Sequence, residues 1–159
     1  LPFDASRADA ITDWDHVKLL TVAVDRLKTW AKPGFLCIGD AAHAMSPIGG
    51  VGVNLAVQDA VATANLLWRP LKDGRSKFDD IRAIQKRRQY PTVVTQRLQI
   101  IIQNNVISAA LGAKGPIKPP LFLRLVAAFP FLARFTARVL GLGVRPEHVA
   151  DAIRTANGR

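Results

Sequence analysis

The residues whose types and spacing could do chemistry lie between positions 37 and 54. An apolar run ends at Gly39-Asp40, a loop rich in glycine and proline follows, and an alanine-rich helical pattern begins near Gly50. This order places one carboxylate at the end of a strand and a row of backbone N–H groups at the start of a helix. Such an arrangement can bind an electron-rich ligand that carries many hydroxyl groups.

Each feature of this segment also has a purely structural interpretation. Asp40 can accept hydrogen bonds from ribose or ribityl hydroxyls, or it can cap the N–H groups of the turn in which it lies. Gly49, Gly50 and Gly52 would let a backbone approach a flat ligand, with the positive end of the following helix directed at it. Turns also use glycine, so the residue types alone leave both interpretations open.

Short strands and a series of helices are predicted around this segment. In chain order they are a helix over 4–14, strands over 17–24 and 35–38, and helices over 50–71, 78–111, 121–140 and 147–155. We expect the strand before Asp40 to be covered on both faces and Gly74 to follow its helix in a left-handed conformation. Pro91 should kink or break the longest helix near Tyr90, and Pro130 should break the next one. Because a nucleotide-binding crevice needs more strands, this inventory is typical of the C-terminal end of a larger α/β protein.

Composition and charge limit the classes of protein to which the chain can belong. Just under half of the residues are hydrophobic, which predicts a folded globular chain. The single cysteine, Cys37, excludes a disulfide framework and a cysteine-rich zinc site. Residues 1–68 carry five Lys and Arg against seven Asp and Glu, whereas residues 69–159 carry seventeen against five. Since no aromatic-interleaved RNA motif accompanies this basic half, we expect a solvated basic face, no nucleic acid and no metal ion.

The expected location is cytoplasmic, with peripheral contact to a membrane as the alternative. The apolar stretch 121–142 raises the question of a membrane helix. Arg124, Arg134 and Arg138, with Pro130 between them, argue against a helix that spans the bilayer. An interfacial helix and a core helix both remain open for this stretch.

One nearly continuous set of positions runs from the end of the strand into the helix. Its members are Gly39-Asp40-Ala41-Ala42-His43, Pro47, Gly49, Gly52, Asn54, Ala56 and Gln58-Asp59-Ala60. This set resembles the second flavin-binding motif of the para-hydroxybenzoate hydroxylase family, whose members are FAD-dependent monooxygenases that consume NAD(P)H. Residues 30–34 look like the passage into the motif's strand, and residues 141–149 resemble the tail of one subgroup.

The resemblance implies an α/β parent fold of the FAD/NAD(P)-binding kind. This chain would be a mainly α-helical fragment of it, with about two or three short strands. Residues 1–30 would end the substrate-binding domain, residues 31–111 would be the C-terminal portion of the FAD-binding domain, and residues 112–159 would be a C-terminal helical segment.

The resemblance also implies which residues bind FAD. They are Gly39, Asp40, Pro47, Gly49, Gly50, Val51, Gly52, Val53 and Asn54. Asp40 would bind hydroxyls of the ribityl chain or near the pyrophosphate, Pro47 would lie beside the isoalloxazine ring, and residues 49–54 would donate N–H groups to the pyrimidine oxygens. The Asn54 side chain has the alternative role of a helix cap. No residue is assigned as catalytic, because His43 and Asp59 are interpreted as structural hydrogen-bonding residues.

The G-x-G-x-x-G motif with which this family cradles the FAD pyrophosphate has no counterpart in the sequence. The chain is therefore predicted to contain the half of the site that binds the flavin ring and to lack the adenosine half. We do not expect tight FAD binding by these 159 residues alone.

The leading hypothesis for function is the C-terminal fragment of a hydroxylase. The parent enzyme would use NAD(P)H and O2 to hydroxylate an aromatic or quinone-like small molecule. The alternatives are a fragment of a flavoprotein reductase or halogenase, and a non-catalytic truncated fragment whose exposed apolar surface leads to self-association.

Overall fold

A computed structural model of the chain describes residues 12–18, 23–47, 50–104 and 121–156. Within these ranges the chain is mainly helical and its two strands are short. The elements in chain order are β1 (Ala31–Lys32), β2 (Phe35–Leu36), α1 (Val51–Lys72), α2 (Phe78–Ile102), α3 (Leu121–Ala128), α4 (Pro130–Leu142) and α5 (Asp151–Ala156), with single 3-10 turns at Trp14–His16 and Gly39–Ala41. This content confirms the predicted mainly helical fragment with two or three short strands.

Helix α1 lies within one residue of its predicted bounds at each end. Its buried apolar side chains include Val51, Leu55 and Ala62, which recur along one face at helical spacing and pack toward α2. The helix ends at Lys72 with Asp73 as its C-cap residue, and Gly74 follows with φ +64°. That left-handed residue is the one predicted from the sequence, and it turns the chain toward α2.

Helix α2 continues through Pro91, so a break near Tyr90, one of the two predicted outcomes, is wrong, and the kink stays a prediction. Proline removes one helical hydrogen bond, but Pro91 is buried together with Arg88 and Thr92 on the side that packs within the fold. Tertiary packing of this face therefore outweighs the local cost of the proline. The part of the predicted helix beyond residue 104 lies outside the described residues.

The strands β1 and β2 form an antiparallel hairpin in which Ala31 pairs with Leu36 and Lys32 with Phe35. The expectation of a strand covered on both faces over 35–38 is wrong, because the strand has two residues and Phe35 is 59% exposed. Of the strand predicted over 17–24, residues 19–22 lie outside the described residues and the other four are not in a strand.

The C-terminal part of the described chain contains three helices, and the first two are separated next to Pro130. Helices α3 and α4 are separated at Phe129, and Pro130 begins α4, as the predicted break requires. The predicted final helix is shorter than expected and begins at Asp151. Of the first predicted helix, residues 4–11 lie outside the described residues. The predicted division of the chain into three domains stays a prediction. In the part of the chain that is described, no helix combines the length and the apolar character that crossing a bilayer requires.

Candidate functional site

A 3-10 turn at Gly39–Ala41, of which Gly39 is buried, opens the candidate site. Gly39 has φ +58°, and a Cβ placed on it would lie 3.0 Å from the Cβ of Ala56 on α1. The left-handed backbone and the short distance both require glycine here. Helix α1 therefore packs directly against the turn that presents Asp40.

Asp40 lies at the surface of this turn. Its side chain is exposed, and within the described ranges its carboxylate has no hydrogen-bond or ion-pair partner. The alternative in which Asp40 caps nearby N–H groups is therefore not the one adopted in this structure. An exposed carboxylate without an internal partner can accept hydrogen bonds from the hydroxyl groups of a ligand.

A buried network lies behind the turn and centres on Asp59 of α1. The Asp59 carboxylate accepts hydrogen bonds from the backbone N–H of Gly39 (3.0 Å) and from Nε of Arg88 on α2 (2.8 Å), and its Oδ2 lies 2.6 Å from Nε2 of His43. The side chains of His43, Asp59 and Arg88 are fully buried. Their burial within the chain accords with the structural role predicted for His43 and Asp59.

Burial alone would raise the pKa of the Asp59 carboxyl. The hydrogen bonds from His43, Arg88 and the Gly39 N–H stabilise the anion by more, so the pKa lies below its ordinary value. A lowered pKa in the folded chain means that this carboxylate stabilises the fold above the unfolded pKa and ceases to do so as the pH falls through the folded pKa. Asp59 is thus an anion at neutral pH, with Arg88 as its buried counter-ion.

Two amide side chains of α2 contact the loop beyond His43. Nε2 of Gln96 donates to the carbonyls of Ala44 (3.1 Å) and Asp25 (2.8 Å), and Nε2 of Gln99 donates to the carbonyl of Ser46 (2.9 Å). Helix α2 therefore fixes the backbone that leads to Pro47, which is itself exposed.

Arg88, Gln96 and Gln99 were not predicted from the sequence as residues of the site. A signal was available, because polar residues recur at 85, 88, 92, 96 and 99, which is the spacing of one helix face. These side chains lie on the face that packs within the fold, where apolar residues are expected. A polar stripe on a buried helix face indicates polar partners, and here the partners are Asp59 and loop carbonyls.

The start of α1 is the second part of the site. Gly50 precedes the helix with φ +64°, and no side chain caps the first turn. The first N–H groups of a helix have no acceptor within the helix, so those at Val51, Gly52 and Val53 are available to an acceptor atom. Val53 is 71% exposed, and the positive end of the helix dipole lies at the same place.

Asn54 does not act as the helix cap considered above. Its Nδ2 donates to the carbonyl of Gly141 at the end of α4 (2.9 Å), and one turn later Nε2 of Gln58 donates to the carbonyl of Leu142 (2.8 Å). The two amides therefore attach the end of α4 to α1. Gly49, the remaining predicted cofactor residue, lies outside the described residues.

The site thus combines an exposed carboxylate that can accept hydrogen bonds with uncapped N–H groups that can donate them. Both belong to the segment whose residues suggested a flavin. Among the described residues there is no group of three or more His, Cys, Asp or Glu side chains arranged to bind a metal ion.

The sequence matches the FAD binding domain family over residues 3–97, more than half of the chain. The chain belongs to this family. Membership confirms FAD as the cofactor and an α/β parent fold of the FAD/NAD(P)-binding kind. It also confirms, together with the relatives below, the resemblance to flavin-dependent monooxygenases of the para-hydroxybenzoate hydroxylase type.

Several relatives are similar to this chain. The 6-methylpretetramide 4-monooxygenase of Streptomyces rimosus is 38% identical over 66% of the chain and 26% of its own length. The 2-heptyl-3-hydroxy-4(1H)-quinolone synthase of Mycobacteroides abscessus is 30% identical over 71% of the chain and 29% of its own length. The FAD-dependent monooxygenase spyC of Aspergillus fumigatus is 30% identical over 81% of the chain and 28% of its own length. The chain therefore spans about a quarter of the length of these relatives.

Proposed function

We propose that this chain forms the flavin-ring end of the FAD site in a monooxygenase that uses NAD(P)H and O2 to hydroxylate an aromatic or quinone-like small molecule. The observation that supports this most strongly is that, among the described residues, the exposed Asp40 carboxylate has no partner and the N-cap residue of α1 makes no side-chain capping bond, both within one family-matched segment.

The described residues fit the chemical groups of that half of FAD. Asp40 accepts hydrogen bonds from ribityl hydroxyls, and the N–H groups from Val51 to Asn54 donate to the pyrimidine oxygens. Pro47 lies beside the ring, and Gly50 lets the backbone approach it. Bound FAD supplies the redox and oxygen chemistry.

The contribution of α1 is electrostatic as well as geometric. Its positive end favours negative charge at the pyrimidine oxygens, which is where reduction of a flavin places it. The donors are backbone groups fixed by helix geometry, so they need no rearrangement when that charge develops. The protein thus orients the ring and stabilises its reduced form.

The class of substrate is proposed from the relatives. One is named for 6-methylpretetramide and another for 2-heptyl-3-hydroxy-4(1H)-quinolone, and both names denote aromatic small molecules. We extend that chemistry to this protein as an electron-rich aromatic or quinone-like substrate.

The test uses the complete protein that contains this chain. We expect it to purify with flavin absorbance, to oxidise NADH or NADPH faster when substrate is present, and to place one labelled oxygen atom from O2 in the product. Asp40→Ala should weaken FAD binding, whereas the matched control Asp79→Ala, at an exposed carboxylate on α2, should not. A complete protein without FAD affinity would contradict the proposal, and a product without labelled oxygen would favour the reductase or halogenase alternative.

We also propose that the pair α3–α4 lies against an anionic membrane surface. On α4, Phe131 and Phe135 are each 66% exposed and share one face with Leu142. Arg134 and Arg138 are exposed beside them. Exposed aromatic side chains flanked by arginines, on helices without an acidic residue, match the composition of an interfacial helix.

Vesicle sedimentation tests the membrane proposal. The protein should bind vesicles that contain phosphatidylglycerol more tightly than pure phosphatidylcholine vesicles, and Phe131→Ser with Phe135→Ser should abolish this binding. The control Phe35→Ser removes an equally exposed phenylalanine from the hairpin and should leave binding unchanged. If the protein binds neither kind of vesicle and instead self-associates through the face of Phe131 and Phe135, the membrane proposal is wrong.

A further inference from the structure

We infer that Arg88 is a positioning residue for the FAD-binding turn, acting through Asp59 on the backbone that presents Asp40. The inference rests on the proposed role of Asp40 in FAD binding. It adds a residue of α2 that lies outside the glycine-rich segment and does not itself reach the surface of the site.

The guanidinium of Arg88 joins three parts of the chain. Its Nε donates to Asp59 Oδ1 (2.8 Å) and its Nη2 to Gln58 Oε1 (3.3 Å), both on α1. Its Nη1 donates to the carbonyl of Arg145 (3.4 Å) and lies 3.8 Å from Glu147 Oε1. A planar guanidinium can satisfy all of these acceptors at once, whereas an ammonium group cannot.

Arg88 is one of the three groups, with His43 and the Gly39 N–H, whose hydrogen bonds stabilise the Asp59 anion. The side chains of Arg88 and Asp59 are fully buried, and the hydrogen bond between them joins opposite charges. Removing one member of such a pair leaves an uncompensated buried charge. Asp59 would then take up a proton or move toward water. Either change alters the carboxylate oxygen that accepts the hydrogen bond from the turn.

One carboxylate oxygen of Asp59 contacts residues that precede and follow Asp40 in the sequence. Asp59 Oδ2 accepts from the Gly39 N–H at 3.0 Å and lies 2.6 Å from His43 Nε2. Gly39 and His43 are therefore fixed by the same oxygen atom, one residue before and three residues after Asp40. Because the Asp40 side chain has no internal partner among the described residues, its position depends on this backbone alone.

The adjacent Arg87 provides a matched control. It lies on the same helix, its side chain is partly exposed, and it makes a bidentate ion pair with Glu147 at 2.7 and 2.8 Å. It contacts neither Asp59 nor the turn. Arg87→Met therefore removes an arginine and an ion pair of α2 while leaving the hydrogen bonds of Asp59 in place.

The experiment measures the Kd of FAD for the complete apoprotein, at a temperature at which circular dichroism shows each variant to be folded. We expect Arg88→Met to weaken FAD binding by roughly 10- to 100-fold, the range found when residues that orient metal ligands are replaced. Arg88→Lys should bind FAD more tightly than Arg88→Met, because lysine keeps the positive charge but lacks the planar set of guanidinium donors. Arg87→Met should bind FAD like the wild type.

A double-mutant cycle separates positioning from general structural damage. If Arg88 acts through Asp40, then Arg88→Met should have little further effect on the Kd in an Asp40→Ala background. Additive effects, or unchanged FAD affinity in a folded Arg88→Met variant, would overturn the inference. Should Arg88→Met not fold, the same cycle is measured with Arg88→Lys. Failure of the wild type to bind FAD would instead contradict the proposed function.

Discussion

Replacing Gly39 with alanine tests the close approach between the FAD-binding turn and α1. Gly39 has φ +58°, a conformation that costs a residue with a side chain about 1–2 kcal/mol. The new Cβ would also lie 3.0 Å from the Cβ and 3.5 Å from the Cα of Ala56. Neither atom is the end of a flexible side chain, so the backbone of α1 must shift, and overpacking of this kind costs about 1–3 kcal/mol.

We therefore expect Gly39→Ala to lower the free energy of unfolding by about 2–5 kcal/mol. Gly34→Ala is the matched control, because Gly34 has φ +74° but no neighbouring atom within 4 Å of the position that the new methyl group would take, so only the backbone cost applies. Combining Gly39→Ala with Ala56→Gly should recover the contact part of the loss and leave the backbone part.

The assay is urea unfolding of the complete apoprotein, followed by tryptophan fluorescence and far-UV circular dichroism. The slope of the unfolding free energy with urea concentration should stay constant across the series, so that midpoints report stability. Equal losses for Gly39→Ala and Gly34→Ala, or no recovery on adding Ala56→Gly, would refute the close packing of the turn on α1.

Three further changes test other parts of the site. Gly52→Ala places a methyl group 3.6 Å from the Cβ of Met45, which is an ordinary contact, so urea unfolding should show no loss of stability. The same methyl group should crowd the flavin ring and weaken FAD binding by about tenfold, or roughly 1.4 kcal/mol. The pKa of Asp59 is lowered in the folded chain, so the free energy of unfolding should fall as the pH drops below about 4. Asp59→Asn should make this dependence on pH weaker when urea unfolding is measured from pH 7 to pH 3. Gln96→Leu leaves the carbonyl of Asp25 without the amide donor and removes one of the two donors to the carbonyl of Ala44, which still accepts from the Asp25 N–H. This change should cost about 1–3 kcal/mol in the same assay, and an unchanged midpoint would show that the amide does not fix the loop.

Local patterns were sufficient to predict the helix that follows the site and the break between the C-terminal helices. Helix α1 follows from apolar residues at helical spacing and from Gly74, whose left-handed conformation marks the end of the helix. The break at Pro130 follows from the proline itself. The order of strand, turn and helix predicted a carboxylate before the loop and a helix start after it, and in the structure Asp40 is exposed in the turn and α1 begins at Val51.

The features that were not predicted depend on contacts between distant residues. Pro91 should interrupt α2 by its own chemistry, but the buried packing of its neighbours keeps the helix continuous. Arg88 belongs to a polar stripe whose partner, Asp59, is 29 residues away on another helix. Asn54 has the side chain of a helix cap, and it donates instead to Gly141. Sequence spacing shows which side chains share a face, and only the fold shows what that face meets.

A crystal structure of the complete protein with FAD bound tests the central claim most directly. We predict that the pyrimidine oxygens of the flavin lie within hydrogen-bond distance of backbone N–H groups between Val51 and Asn54, and that a ribityl hydroxyl donates to the Asp40 carboxylate. A flavin ring bound elsewhere, with Asp40 and the start of α1 both uncovered, would contradict the account.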